Sequence, residues 1–192
     1  MSRNNEERLG IKDEGQNPPI TAVSDSASPL QFVTPTEFVD LPTQGKFYPE
    51  GHPLYQKDTV EIRYMTAKDE DILTSKTLLK KGIAVDRMLS NIIIDKNIKI
   101  DELFVGDKNA IIVAARISGY GSDYKTSVTC PSCAASAENE FDLNAVLEKV
   151  NATTYEDIEI ANDGTFAIKL PKSQVEARVR LVTGMDEKRL EA

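Results

Sequence analysis

Residues 106–143 constrain the fold more than any other part of the chain, because they join a helical pattern to a strand pattern. Asp107 can cap a helix whose apolar residues recur at helical spacing, and Gly119 and Gly121 predict where that helix ends. Polar and apolar side chains then alternate over residues 123–128, which predicts a half-buried strand. The stretch therefore predicts a helix followed directly by a β-ribbon.

The β-ribbon has a pair of cysteines at its tip. Its first strand runs into the motif CPSC at residues 130–133, and residues 137–143 predict the return strand. This layout is half of a zinc ribbon, since a structural zinc ion needs four ligands. The other two ligands could be carboxylates, come from another chain, lie beyond residue 192, or be missing. We predict Cys130 and Cys133 as ligands of Zn²⁺ or of an iron–sulfur cluster completed by another chain, with a metal-free turn as the alternative.

Charge and composition argue against several classes of protein. With 31 acidic and 23 basic residues the chain has a net charge of -8, which disfavours binding to nucleic acid. No apolar run approaches the roughly 20 residues that cross a bilayer. The first 30 residues also lack the apolar segment of a signal peptide. We therefore predict a protein made in the cytoplasm, without a membrane span and without a nucleic-acid partner.

The sequence offers little material for catalysis. His52 is the sole histidine, and there is no glycine-rich phosphate loop and no nucleophile elbow. A thiol oxidoreductase would need a helix directly after its cysteine pair to lower the thiol pKa, whereas a strand is predicted there. The chain is therefore predicted not to be an enzyme, and the oxidoreductase is the least favoured alternative.

The first part of the chain predicts an arm followed by an irregular segment. Residues 1–34 mix Asn, Glu, Ser, Pro and Gly without periodicity, which predicts a flexible arm. Residues 35–58 contain prolines and glycines that oppose helix and sheet. This predicted loop nevertheless contains four large apolar residues: Phe47, Tyr48, Leu54 and Tyr55. We predict these four as partner-binding residues, with packing on the chain's own core as the alternative.

Residues 35–192 are predicted to form a single α+β domain that includes the CxxC β-ribbon at 122–143. A mainly antiparallel sheet is expected because hairpin signals outnumber crossovers, and three or more helices should pack on one side of it. One hairpin is predicted to turn at residues 162–164. Helices should begin near Thr66, Ala84 and Lys108, and the first of them should run to near Lys81. Strands are expected around Val60, Tyr124, Phe141, Ile168 and Val179.

The C-terminal part, residues 156–192, is predicted to be β-rich and to repeat an earlier unit. Residues 62–73 align without a gap with residues 179–190, and Arg, Thr, Asp, Glu and Leu recur at matching positions. A Leu-Pro pair precedes each copy, which favours a duplicated strand–helix unit. The second helix would be short, with nine residues after Thr183. We therefore expect either a chain that continues past Ala192 or a helix completed by docking on another subunit.

Three blocks of sequence carry a family resemblance. They are DLPTQGKFYPEGHPLY, VEIRYMTAKDEDILTSKTLLKKG and GDKNAIIVAARISGYGSDY, the last followed by VTCPSC. Together they resemble the baseplate hub subunit family of T4-type contractile-tailed phages, most closely members from T4-like phages of marine bacteria. The resemblance covers residues 36–141 and implies no catalytic residue.

The resemblance implies a structural subunit of the central baseplate hub at the tip of the phage tail. Its expected partners are other hub and tail proteins in a multi-copy assembly. The expected location is the virion, after assembly in the host cytoplasm. The alternative is an assembly chaperone that is absent from the finished particle.

Overall fold

The computed structural model describes residues 34–151, 155 and 158–191, so the predicted arm lies outside the described residues apart from its last one. The strands are β1 (Thr36–Asp40), β2 (Thr59–Arg63), β3 (Asp123–Thr129), β4 (Ser136–Asp142), β5 (Thr165–Lys169) and β6 (Glu176–Arg180). The helices are α1 (Ala67–Thr74), α2 (Lys76–Lys80), α3 (Ala84–Ile92), α4 (Val105–Tyr120), α5 (Leu143–Asn151) and α6 (Gly184–Glu191).

The strands pair only as antiparallel hairpins. In the described part of the chain they form three two-stranded sheets, β1–β2, β3–β4 and β5–β6. The predicted α+β fold with antiparallel pairing is therefore confirmed. No ladder joins one of these hairpins to another, so the described strands do not form one sheet.

One core lies under the first hairpin and the helices α3 and α4. It contains the inward-facing residues of β2, the apolar stripe of α3 and the buried face of α4. The side chains with the least exposure include Leu54, Ile62, Leu89, Ile92, Ile93, Leu103 and Ile111. Burial of such side chains contributes roughly 2 kcal/mol each, which makes this cluster the main source of stability.

The predicted loop at residues 35–58 begins with a strand. Residues 36–40 form β1, whose Val39 lies opposite Val60 of β2 and is buried with it. The strand was not predicted because only Val39 faces the core, while Phe38 on the other face is 70% exposed. A five-residue strand with a single buried side chain has almost no detectable alternation.

Helix boundaries differ from the prediction at two places. The helix that follows Thr66 breaks at Ser75, whose backbone is extended, so α1 and α2 replace one longer helix. Helix α4 begins at Val105 rather than near Lys108. Asp107 does not cap it, because this side chain turns inward from the first turn of α4.

The hairpin predicted to turn at residues 162–164 is reduced to a single pair of bridged residues. Ile160 and Phe166 form an isolated antiparallel bridge around this turn. β5 instead forms its full ladder with β6, across a turn that begins at Leu170.

The two aligned segments make the same set of hydrogen bonds. In the first copy, Arg63 makes two hydrogen bonds of 2.7 and 2.9 Å to Asp69, which also accepts bonds from the N–H and hydroxyl of Thr66. In the second copy the equivalent residues repeat every one of these bonds. They are Arg180, Thr183 and Asp186. Each copy therefore ends a hairpin with an arginine that fixes the N-terminus of the next helix.

The short C-terminal helix α6 docks on its own chain. Val105 N–H donates to the Val182 carbonyl at 3.0 Å, and Gly184 N–H donates to the Leu103 carbonyl at 3.0 Å. Lys188 then forms ion pairs with Asp86 at 2.8 Å and with Asp101 at 2.6 Å, and Lys108 adds one between α4 and Asp86. These contacts attach the short helix to its own chain.

Candidate functional site

A buried carboxylate fastens the loop between β1 and β2 to the start of α4. Asp107 has no exposed surface, and its carboxylate accepts hydrogen bonds from Thr43 N–H at 3.1 Å, Thr43 Oγ1 at 2.7 Å and Tyr48 Oη at 2.8 Å. Burial raises the pKa of Asp107, although these three bonds oppose the rise. The carboxylate also lies in the first turn of a helix, where the helix dipole favours a negative charge.

The two hydroxyl groups in this network are oriented by other backbone groups. Thr43 Oγ1 accepts a bond from Gly45 N–H, and Tyr48 Oη accepts one from Phe104 N–H, both at 3.3 Å. Each hydroxyl hydrogen is therefore free to point at Asp107. Burial and the Asp107 carboxylate raise the pKa of Tyr48, which keeps the phenol protonated. The network is a structural clamp in which every buried polar group has a partner.

The partner-binding prediction for the aromatic loop needs correction. Phe47, Tyr48 and Leu54 are 2%, 2% and 1% exposed and lie in the core of their own chain. These three residues therefore pack on the chain's own core, which was the alternative expectation. The hydrogen bonds to Asp107 hold the loop against α4. Only Tyr55 is partly exposed and remains a predicted partner contact. Phe47 also packs edge to face on Phe166 of β5, at 5.5 Å between ring centres.

The sole histidine has a structural position in this loop. His52 stacks on Tyr48 with ring centres 4.3 Å apart, and its Nδ1 accepts a bond from Leu54 N–H at 3.1 Å. Burial lowers the pKa of His52, even though Glu102 opposes this change. The stacking and the hydrogen bond give the neutral His52 side chain a structural role in shaping this turn.

The cysteine pair lies in a turn whose shape recurs elsewhere in the chain. In residues 130–135, Cys130 N–H donates to the Ala135 carbonyl and Ala134 N–H donates to the Cys130 carbonyl, both at 2.9 Å. The turn between β5 and β6 makes the same two bonds at 2.9 Å, from Leu170 and Gln174. Both turns have proline in second position and a residue with positive φ in fifth position, 55° and 56°. The proline turn therefore forms without cysteines.

The cysteine turn presents two thiols at the tip of the β3–β4 hairpin. Cys133 is exposed and Cys130 is half-buried. Hydrogen bonds from the backbone N–H groups of Cys133 and Ser132 lower the pKa of the Cys130 thiol, which favours the thiolate that metals bind. Among the described residues, no group of three or more His, Cys, Asp or Glu side chains could hold a metal ion. A four-ligand site would therefore need ligands from outside the described residues.

The metal prediction can be tested on assembled particles. If two chains each supply both cysteines, elemental analysis should find about one Zn²⁺ ion, or one iron–sulfur cluster, for every two chains. Chelation should then expose the thiols of Cys130 and Cys133 to iodoacetamide. A particle without metal whose two thiols react before any chelator is added would leave only the proline turn.

The β3–β4 hairpin also presents an apolar face that no described residue covers. Tyr124 lies opposite Phe141, and Val128 lies on the same face, with each side chain about half exposed. The opposite face is polar and includes a cross-strand ion pair between Lys125 and Glu140. The alternation of polar and apolar residues in β3 predicted an apolar face. The sequence pattern does not show whether other residues pack on that face. A two-stranded hairpin is marginal in water unless something packs on it.

Comparisons with known proteins identify the family of the chain. No helix among the described residues is long and apolar enough to cross a membrane. A search of curated proteins and a search of solved structures found no significant match. A family model described as T4 bacteriophage base plate protein matches residues 34–189. The match covers most of the chain, which therefore belongs to the family of T4 bacteriophage base plate proteins.

Proposed function

We propose that the chain is a structural subunit of the central hub of the baseplate in a T4-like contractile-tailed phage. The uncovered apolar face of the β3–β4 hairpin carries this proposal. Tyr124, Val128 and Phe141 form a patch on a hairpin that needs a neighbour to be stable. Family membership supports a place in the baseplate, and the similarity of three sequence blocks to hub subunits supports the hub.

Mass spectrometry of purified particles separates the hub subunit from an assembly chaperone. A subunit should remain in the particle in fixed proportion to other baseplate proteins, whereas a chaperone should be found only in infected cells. Absence from purified particles would contradict the proposal and favour the chaperone.

The hairpin face offers a matched pair of variants for the same assay. Val128→Ser removes apolar surface from the uncovered face, and Thr129→Ser changes the neighbouring residue on the opposite face. Both positions are exposed in the isolated chain, so neither variant should unfold it. We expect the first variant to incorporate several-fold less than the second. Equal incorporation would show that this face is not an interface.

A further inference from the structure

The two copies of the duplicated unit differ in what covers their outer strand edge. In the first copy, the edge of β2 that faces away from β1 is paired with the segment after α3. Ile62 forms an antiparallel bridge with Ile93, and Ile94 N–H donates to the Glu61 carbonyl at 3.1 Å. A short helix followed by two isoleucines thus completes the first copy.

In the second copy, no described residue pairs with the same edge. Leu170 N–H donates to the Val175 carbonyl, so these two residues form a hydrogen-bonded pair. In an antiparallel ladder such pairs alternate with pairs that exchange no hydrogen bond. Arg178, three residues after Val175, lies in a pair of the second kind, and its N–H and carbonyl therefore point away from β5. Arg178 occupies the position of Glu61 in the aligned repeat. Within the described part of the chain, no backbone group bonds to this outer edge of β6.

The helix of the second copy is also more exposed than its counterpart in the first copy. Leu73 of α1 packs against the core, whereas Leu190, its counterpart in α6, is 84% exposed. The ion pair that precedes the helix shows the same difference. The Arg63 side chain is 22% exposed and that of Arg180 is 56% exposed. In the described part of the chain, the backbone and the side chains of the second copy therefore both lack the cover that the first copy has.

The charge at this edge indicates what kind of segment would fit. Glu61 in the first copy is replaced by Arg178 in the second, and Arg178 interacts electrostatically with Asp163 without forming a close ion pair with it. The chain as a whole is acidic, with a net charge of -8, whereas the five residues of β6 include two arginines and one glutamate. A segment with an acidic side chain beside this position would be favoured.

We propose that the outer edge of β6 binds an extended segment of a neighbouring baseplate protein, which adds as an antiparallel strand. The segment should have successive aliphatic residues, as Ile93 and Ile94 do in the first copy, and an acidic residue beside Arg178. This inference rests on the proposed function only in that the chain must be part of the particle. It does not depend on whether its place is the hub.

A proline variant blocks the edge without disturbing the hairpin. Arg178→Pro removes an N–H group that makes no bond to β5, and proline is tolerated at such outward positions of edge strands. Arg178→Ala is the control, because it removes the charge but keeps the N–H. We expect both variants to fold, and we expect the proline variant to incorporate about tenfold less than the alanine variant.

Hydrogen exchange of the wild-type chain gives an independent readout that does not require the variant to fold. The Arg178 amide should exchange rapidly in the isolated protein and about a hundredfold more slowly in the particle. Equal incorporation of the two variants, or fast exchange of this amide in the particle, would overturn the inference alone. Absence of the wild-type chain from particles would contradict the proposed function as well.

Discussion

Replacing Asp107 with alanine is expected to destabilise the protein by about 4 kcal/mol, because three buried donors would lose their acceptor. The donors are Thr43 N–H, the Thr43 hydroxyl and the Tyr48 hydroxyl. Water cannot replace the carboxylate easily, since Thr43 and Tyr48 are themselves buried. The loop between β1 and β2 would lose its attachment to α4 and expose part of the core.

Equilibrium unfolding in urea measures this effect. Asp58→Ala is a suitable control, because Asp58 is an exposed aspartate in the same loop. Tyr48→Phe should have an intermediate effect of about 2 kcal/mol, since it removes one of the three bonds to Asp107 and also the acceptor of Phe104 N–H. A change of less than about 1 kcal/mol for Asp107→Ala would contradict the clamp.

The second large effect is expected at Asp69, and the duplication supplies its control. Asp69→Ala should destabilise the protein by about 3 kcal/mol, because it leaves Arg63 and the Thr66 N–H without their buried acceptor. Asp186→Ala removes the same set of bonds in the second copy, where the pair is more exposed. It should therefore destabilise the protein less. Equal effects would show that burial does not determine the strength of this motif.

The same carboxylate predicts a dependence of stability on pH. Burial would raise the pKa of Asp69, but hydrogen bonds from Arg63 and Thr66 lower it from 3.8 to about 2. Since the folded pKa lies below the unfolded one, ionised Asp69 stabilises the fold above about pH 4. This contribution of about 2 kcal/mol is lost as the pH falls from about 4 to about 2. Asp69→Asn should flatten the unfolding free energy over that interval.

Local chemistry made part of this fold predictable. The alignment of residues 62–73 with 179–190 predicted the repeated unit, because the arginine, threonine and aspartate that recur are the residues that bond one another. The alternation of residues 123–128 likewise predicted β3 and its apolar face. These patterns are local, so a single sequence is enough to show them.

Long-range contacts explain what was missed. Asp107 has the spacing of a helix cap, yet its partners Thr43 and Tyr48 lie about sixty residues earlier, and no periodicity connects them. That contact also decides that Phe47 and Leu54 pack inward. The separation of the strands into three hairpins depends on the packing of helices between them, which propensities do not determine.

An electron-microscopy map of the purified tail tests the central proposal most directly. The hub account predicts density for this fold on the tail axis, with the apolar face of the β3–β4 hairpin against a neighbouring hub protein and a partner strand along β6. Density at the rim of the baseplate, or no density for this chain in the intact particle, would contradict it.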